Sequence, residues 1–192
     1  MRISLPTVVL ASASPRRRQL LNAVGIAVVV APADLDETPC DRESPRELVL
    51  RLARAKAGAA GAVDGLVVAA DTIVAVDGEI LNKPVDDDDA RRMLRLLSGR
   101  THSVFTGWCV RDGRDDSEHA GVVETGVSFR VLDDDDIAAY LATGEHRDKA
   151  GAYGIQGAAA ALVASINGSL TNVIGLPVDE VLAALRAAAR TT

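Results

Sequence analysis

The sequence has little cysteine, few aromatic residues and no long apolar run. Its 192 residues include two cysteines, and aromatic residues make up 3% of the chain. Cys40 and Cys109 lack the spacing of metal ligands, which predicts a reduced, cytoplasmic protein and not a disulfide-linked secreted one. No apolar stretch is long enough to span a membrane. So few aromatic side chains also offer no platform for stacking nucleic-acid bases.

Charge is abundant and unevenly distributed. Charged residues make up 25% and hydrophobic residues 48% of the chain, as in soluble globular proteins. The formal net charge of −6 argues against general binding to nucleic acid or to an anionic membrane. Arginines nonetheless occupy all of positions 16–18. A local basic cluster on an acidic protein favours a small anionic ligand.

Strand-like and helix-like segments mostly alternate along the chain. Apolar, β-branched runs predict strands at 7–11, 26–30, 66–70, 72–76, 79–81 and 160–166, with more between 101 and 132. Caps and helical spacing predict helices at 15–24, 45–60, 86–97, 133–141 and 178–189. Asp77-Gly78 is a strong hairpin-turn signal. We therefore expect a mixed α/β fold, a twisted sheet flanked by helices, with a largely antiparallel middle portion.

The first predicted helix places cations where the helix dipole disfavours them. Ser14 suits the N-cap and Pro15 the first helical position, so Arg16 and Arg17 fall in the first turn. A helix N-terminus carries a partial positive charge, which repels arginine and attracts anions. With Ser12 and Ser14, the free backbone N–H groups would form a phosphate site. The alternative is a strand-to-helix turn with solvated arginines.

A carboxylate, Asp71, interrupts the apolar run from Leu66 to Val76. Such a group is costly to bury unless it is paired, binds a metal or belongs to a site, and strand ends are where α/β folds place chemistry. A functional carboxylate is therefore the favoured interpretation, and a turn cap between two strands is the alternative. Lys56, on the second predicted helix, and Lys83, after the hairpin, would by themselves be solvated lysines.

Other acidic residues occur in clusters. The loop Asp34-Leu35-Asp36-Glu37 offers oxygen ligands suited to Mg²⁺ or Mn²⁺, with a solvated acidic loop as the alternative. The aspartate runs at 86–89 and 133–136 open predicted helices, so helix capping is the favoured interpretation there. No chemistry is assigned to the scattered histidines, His102, His119 and His146.

A series of motifs between residues 8 and about 182 resembles the Maf (septum formation inhibitor-like) nucleotide pyrophosphatases, and the motifs occur in family order. The first is Ala11-Ser-Ala-Ser-Pro-Arg-Arg17. The others are Arg51-Leu-Ala-Arg-Ala-Lys56-Ala, Ala70-Asp71-Thr72-Ile-Val, Gly78-Glu-Ile-Leu-Asn-Lys83-Pro84, Leu97-Ser-Gly-Arg-Thr-His102, Asp148-Lys149-Ala-Gly-Ala-Tyr153-Gly-Ile-Gln156-Gly157 and Ile166-Asn-Gly-Ser-Leu-Thr-Asn172-Val-Ile-Gly-Leu-Pro177.

The resemblance implies a single domain over residues 1–192, with an elongated, two-lobed fold like that of inosine triphosphate pyrophosphatases and an active-site cleft between the lobes. It implies a homodimer and a divalent cation, Mg²⁺ or Mn²⁺. The reaction that it implies is hydrolysis of a nucleoside triphosphate to the monophosphate and pyrophosphate. Ala70-Asp71-Thr72 and the 148–157 motif are similar to those of the group that prefers dTTP and UTP.

The resemblance also assigns roles by position. Asp71 is the expected proton acceptor, and Lys56 and Lys83 complete the expected catalytic set. Glu37 and Asp71 are the expected metal ligands. The expected substrate-binding residues are Ser12, Ser14, Arg16, Arg17, Thr72 and Gln156. Within that set, the positions linked to substrate choice are Arg16, Thr72 and Gln156.

Other functions fit parts of the same sequence. A sister group acting on 7-methyl-GTP typically shows Ser-Asp-Gln where this chain has Ala70-Asp71-Thr72. A nucleotide-binding regulator of cell division with little catalysis would use the same pocket, but the retained Asp71 and Lys83 favour an enzyme. A nucleic-acid-binding regulator is disfavoured by the net charge. Leu170, where many relatives have tyrosine, and Asn82, where glycine or an acid is common, bear on base preference.

Overall fold

The computed structural model describes residues 7–190, so the outermost residues of the expected 1–192 domain lie outside the described range. Within it the strands are Val8–Leu10 (β1), Val28–Val30 (β2), Leu66–Val76 (β3), Glu79–Leu81 (β4), Thr101–Asp112 (β5), Glu118–Phe129 (β6) and Val163–Asn167 (β7). The α-helices are Pro15–Ala23 (α1), Pro45–Ala59 (α2), Asp87–Leu97 (α3), Asp134–Ala142 (α4), Leu170–Ile174 (α5) and Val178–Ala188 (α6). No helix between residues 7 and 190 is long and apolar enough to cross a membrane.

The strands form one mixed sheet in the order β2-β1-β3-β5-β6-β7, and β4 pairs with β3 off that path. β1 runs parallel to both neighbours, so that Val9 lies opposite Val29 on one side and Val67 on the other. The pairs β3–β4 and β6–β7 are antiparallel. The parallel part follows from the chain, because helices α1 and α2 connect β1 to β2 and β2 to β3. This mixed sheet flanked by helices confirms the predicted fold class.

Strong local signals located most of the elements correctly. Asp77 and Gly78 have φ angles of 50° and 84°, the positive values that a tight hairpin turn between β3 and β4 needs. Ser44 and Glu47 form the reciprocal capping box that begins α2. The aspartate runs cap α3 and α4, with Asp86 and Asp133 as the N-cap residues. Helix capping is therefore the confirmed interpretation of both runs.

Two strand predictions are wrong. The separate strands predicted at 66–70 and 72–76 are a single strand, β3, because Asp71 is paired within it and does not end it. The strand predicted at 160–166 begins later, at Val163, since residues 157–162 form a 3₁₀ segment. That segment contains a run of four alanines, which lack the β-branched side chains that favour strands.

The described residues form two compact units. Unit 1 comprises residues 7–71, 106–123 and 175–190. Its main core joins β1, α1, β3 and α6 through residues such as Leu10, Leu21, Val68 and Leu185. Unit 2 comprises residues 72–105 and 124–174, and its core includes Leu81, Leu94, Phe129 and Tyr140.

Within unit 1, α2 packs unusually close to β5. A Cβ atom built on Gly107 would lie 2.1 Å from the carbonyl oxygen of Val49, so only glycine permits this approach. At the far end of the helix, Arg111 donates to the carbonyl oxygens of Ala57 (3.1 Å) and Gly61 (2.9 Å). These bonds satisfy carbonyl groups that a helix end leaves unpaired. The helix that carries Lys56 is therefore held at both its middle and its end.

Gly107→Ala is expected to destabilise the fold, because the new methyl group would overlap the Val49 carbonyl unless α2 moved off β5. We expect the free energy of unfolding to fall by about 3 kcal/mol, the upper end for overpacking. Gly58→Ala is the matched control, since its Cβ would meet nothing within 4 Å and alanine is the better helix former. Urea denaturation measures both variants, and equal stabilities would contradict the close approach.

Candidate active site

The turn from β1 into α1 presents two serine hydroxyls at a helix N-terminus. Ser14 is the N-cap, and its Oγ accepts a hydrogen bond from the backbone N–H of Arg17. The Ser12 Oγ accepts from the backbone N–H of Ser14 at 3.3 Å. Pro15 occupies the first helical position. These contacts confirm the predicted cap and leave the helix dipole directed at the same spot as both hydroxyls.

Arg17 is buried and points into unit 1. Its Nε donates to the carbonyl oxygen of Gly175 at 2.8 Å, and one of its terminal nitrogens donates to the Ser12 Oγ at 2.9 Å. Burial lowers the pKa of this guanidinium below its usual value, while the negative charge of Asp71 opposes that shift. The alternative of solvated arginines is therefore wrong for Arg17, because the protein supplies the partners that water would otherwise provide.

Arg16 is half-buried beside it. Its positive charge acts in the same direction as burial, lowering the pKa of Arg17, and the charge of Glu37 acts against it. Arg16, Arg17, Asp71 and Glu37 therefore belong to one electrostatic neighbourhood. The sequence placed the two arginines together, but only the fold brings the two carboxylates to them.

Lys56 joins two of the predicted site carboxylates. Its ammonium nitrogen lies 2.6 Å from the Asp71 Oδ1 and 2.5 Å from the Glu37 Oε1. Lys56 and Asp71 are each 7% exposed, whereas half of the Glu37 side chain is exposed. The interpretations of Lys56 as a solvated lysine and of Asp71 as a turn cap are both wrong. Asp71 lies inside a continuous strand, where the buried ammonium compensates its charge.

The same carboxylates form the donor set on which a divalent cation would depend. Glu37 and Asp71 each direct an oxygen at the Lys56 nitrogen, so the fold brings the two carboxylates close together. Between residues 7 and 190, no group of three or more His, Cys, Asp or Glu side chains forms a cation cage. Mg²⁺ commonly uses one or two carboxylates and takes its other ligands from substrate phosphates and water. A two-carboxylate set fits that pattern.

Three predicted site residues belong to unit 2. Thr72 follows Asp71 directly on β3 and is half-buried, while Lys83 is exposed in the segment after β4. Gln156 is exposed and immediately precedes the 3₁₀ segment at residues 157–162. Within this unit, the carbonyl oxygen of Asn82, next to Lys83, accepts a hydrogen bond from the Gly151 N–H at 3.2 Å. The segments that carry Lys83 and Gln156 are therefore tied together.

The segment around Gln156 is held by side chains that the sequence analysis did not identify. The Glu145 carboxylate accepts from the Ala158 N–H at 3.2 Å, two residues beyond Gln156. The same carboxylate lies so close to Gly157 that a Cβ there would be 2.7 Å from it. The Lys149 ammonium donates to the Glu145 carbonyl oxygen at 2.5 Å. Gln156 thus lies on a closed loop with an ordered backbone.

Two of the three histidines support unit 2. His102 is buried, its Nε2 lies 2.7 Å from the Tyr153 hydroxyl, and burial lowers its pKa to about 4. The His146 Nε2 lies 2.9 Å from the Asp87 Oδ1 at the start of α3. Neither has a hydrogen-bond partner in the cluster of Lys56, Asp71 and Glu37. Tyr153 precedes Gln156 by three residues, so His102 also anchors that loop.

Named relatives have sequences similar to this one over nearly the whole length of the chain. A protein named dTTP/UTP pyrophosphatase from Anaeromyxobacter dehalogenans (strain 2CP-C) is 53% identical over 186 residues, which cover 95% of this chain and 94% of that protein. A protein of the same name from Geobacter sulfurreducens is 51% identical over 181 residues, with 93% and 95% covered.

Two solved structures show a more distant similarity. A nucleoside-triphosphatase / dITP/XTP pyrophosphatase from Mycobacterium abscessus has a TM-score of 0.40 and 18% identity, covering 65% of this chain and 73% of that one. A HAM1 protein from Coxiella burnetii has a TM-score of 0.43 and 15% identity, with 64% and 72% covered.

The family model described as Maf-like protein matches residues 7–188. That span contains the serines and arginines of the α1 N-terminus, the Lys56 cluster and the Gln156 loop. Because this family model matches nearly the whole chain and the relatives share about half of their residues with it, the chain belongs to the Maf-like protein family.

Proposed function

We infer that this chain is a nucleoside triphosphate pyrophosphatase that hydrolyses dTTP and UTP to the monophosphate and pyrophosphate with a divalent cation. The observation that carries the proposal is the buried Asp71, held by Lys56 together with Glu37 in the electrostatic field of Arg17. A positioned carboxylate beside a cation-rich helix N-terminus suits attack of water on a polyphosphate. The names of the relatives support the same substrates.

Asp71 is the proposed proton acceptor. Lys56 contacts Oδ1 and so fixes the orientation of the carboxylate, and Oδ2 is the atom that takes the proton from water. The water oxygen then bonds to the α-phosphorus as the bond from that phosphorus to the α,β-bridging oxygen breaks. Pyrophosphate leaves with the electron pair of that bond. Arg16 and the backbone N–H groups at the start of α1 hold phosphate oxygens.

Glu37 and Asp71 are the proposed ligands of Mg²⁺ or Mn²⁺. When bound, the cation supplies charge neutralisation at the phosphate oxygens. Lys56 lies between the two carboxylates and keeps their mutual repulsion compensated. Lys83 supplies a further positive charge for the phosphates in the proposal. Its segment is tied to the Gln156 loop through Asn82.

Gln156 is the proposed reader of the base. Its amide carries both donors and an acceptor, which complement a carbonyl oxygen and the imide N–H of uracil or thymine. The Gln156 side chain is exposed, while the adjacent Ile155 is buried in the core. The buried Ile155 thus anchors the loop, and the Gln156 amide remains accessible. Thr72 and Arg16 complete the positions proposed to influence substrate choice. The proposal includes the homodimer that the family resemblance implies and the cytoplasmic location that the cysteine content predicts, and light scattering of the purified chain tests the former.

Asp71→Asn should lower kcat by about 100-fold or more, the scale of losing a positioned base. The amide keeps the size of the side chain, and Glu37 remains to pair with Lys56. Asp64→Asn, an exposed position before the same strand, is the control. Pyrophosphate release from dTTP and UTP measures the effect, and near wild-type turnover of Asp71→Asn would rule out the assignment. Adding 7-methyl-GTP, CTP and GTP to the panel tests the other substrate groups.

Arg16→Ala should weaken triphosphate binding while leaving the fold intact or slightly more stable. The variant removes a phosphate donor, and it also relieves the unfavourable contact of a cation with the helix dipole. Arg18→Ala is the matched control, since Arg18 is exposed on the same turn. Thermal melts with and without nucleotide measure both effects. An unchanged nucleotide-induced shift in Tm for Arg16→Ala would contradict its phosphate role.

Gln156→Ala should reduce the difference in kcat/KM between pyrimidine and purine triphosphates. Losing a hydrogen-bonding partner typically costs about 1–3 kcal/mol, so kcat/KM for dTTP and UTP should fall by roughly 5- to 150-fold. Triphosphates that do not use the contact should lose much less. The measurement is kcat/KM for dTTP, UTP, CTP and GTP in both proteins. A uniform loss over all four would mean that Gln156 serves the phosphates or the fold.

A further inference from the structure

Glu37 lies in a segment without regular secondary structure, although its carboxylate meets Lys56 at 2.5 Å. Residues 31–40 contain neither helix nor strand, and half of the Glu37 side chain is exposed. An irregular segment loses substantial conformational entropy when one of its side chains is held at a fixed point. A precise position for Glu37 therefore needs further contacts along this loop.

Those contacts converge on Arg51, one turn and a half before Lys56 on α2. The Arg51 guanidinium donates to both oxygens of Glu43, at 2.6 and 2.7 Å, and to the carbonyl oxygen of Thr38 at 3.1 Å. Thr38 is the residue next to Glu37. A two-pronged bond of guanidinium to carboxylate fixes direction as well as distance. Arg51, Glu43 and the Thr38 carbonyl together form the Arg51 clamp.

Glu43 connects Arg51 to the backbone of the loop at Cys40. Its Oε2 accepts a hydrogen bond from the Cys40 N–H at 2.9 Å, and its own N–H donates to the Cys40 carbonyl oxygen at 3.1 Å. Closer to Glu37, the Asp36 carboxylate accepts from the Thr38 N–H at 2.9 Å. The loop therefore has internal hydrogen bonds both before and after Thr38. Arg51 connects these two bonded parts of the loop to α2.

The Glu43 carboxyl of the clamp stays ionised at neutral pH. The bond from Arg51 lowers the pKa of Glu43 to about 2, with the Cys40 N–H acting in the same direction. A carboxyl group with a lowered pKa keeps its pairing above that value and loses it only as the pH falls through about 2. The Glu43 side chain is 8% exposed and that of Arg51 is 36% exposed, so the carboxylate is the more buried partner.

We propose that Arg51 is a positioning residue for the reaction: the Arg51 clamp fixes the loop so that the Glu37 carboxylate is presented at Lys56 and to the divalent cation. The helix α2 then holds Glu37 at two points, the carboxylate through Lys56 and the adjacent backbone through Arg51. The part that concerns the cation and catalysis rests on the proposed function. The part that concerns the order of the loop does not.

Arg54 provides a matched control on the same helix. It lies three residues after Arg51 and is more exposed, and the ion pair it makes is a long one, 3.7 Å to Glu118. Removing it deletes the same charge from the same helix and leaves the Arg51 bonds to Glu43 and Thr38 in place. Arg51→Lys is the second comparison, because lysine keeps the charge but cannot bond both Glu43 oxygens and the Thr38 carbonyl together.

Hydrogen exchange and Mn²⁺ calorimetry on the nucleotide-free full chain test the clamp. In Arg51→Ala, the amides of Thr38 and Cys40 should exchange faster, and Mn²⁺ should bind about tenfold more weakly, as for other residues that orient metal ligands. Arg51→Lys should be intermediate and Arg54→Ala unchanged. Equal behaviour of Arg51→Ala and Arg54→Ala would overturn the proposal, as would a wild-type chain that binds no Mn²⁺ or an Arg51→Lys variant that matches wild type.

A double-mutant cycle with Glu37→Gln tests whether Arg51 acts through Glu37. In the wild-type background, Arg51→Ala should lower kcat/KM for dTTP about tenfold; in the Glu37→Gln background it should add less than about twofold. Losses that simply multiply would refute a route through Glu37. A wild-type chain that releases no pyrophosphate from dTTP or UTP would end the proposed function, while exchange and Mn²⁺ binding would still decide the clamp.

Discussion

The contact between the Lys56 ammonium and the Asp71 carboxylate is the interaction on which the site in unit 1 depends. A carboxylate in the middle of a buried strand is tolerated only when a nearby charge compensates it, and Lys56 is equally buried. Removing the cation of such a pair is strongly destabilising, because the buried carboxylate is left without compensation. The position of α2 therefore determines whether β3 can carry a buried carboxylate. That position follows from the close approach at Gly107 and the Arg111 bonds at the helix end.

The arginines of α1 show how a local conflict is resolved by tertiary contacts. Cations in the first turn oppose the helix dipole, and a free helix would lose stability from them. Arg17 instead turns inward, where Ser12 and the Gly175 carbonyl accept its hydrogen bonds. Because Gly175 comes from a segment far along the chain, this arrangement exists only in the folded protein. The arginines thus remain in the first turn, where a bound anion would make their positive charge favourable instead of unfavourable.

A structural feature of this protein can be predicted from the sequence when the residues that determine it lie close together along the chain. Ser14, the capping box of Ser44 and Glu47, and the Asp77-Gly78 turn all act within a few residues, and each is confirmed. Asp71 was identifiable as unusual because it interrupts an apolar run, but its partner was not, since Lys56 alone resembles any helical lysine. The error of splitting β3 at Asp71 has the same origin. Charge compensation across fifteen residues of sequence is invisible to a local pattern.

The residues that hold the site were harder to foresee than those that form it. Arg51 and Glu43 are ordinary charged residues in sequence, and they become informative only when their bonds to the loop of Glu37 are known. The same is true of Glu145, which bonds the backbone beyond Gln156. In both cases a carboxylate accepts a hydrogen bond from a backbone N–H group of an irregular segment and so orders the segment that carries a residue of the proposed site. Such segments lack the regular backbone hydrogen bonds that order helices and strands, so buried or paired charges hold the backbone in place there instead.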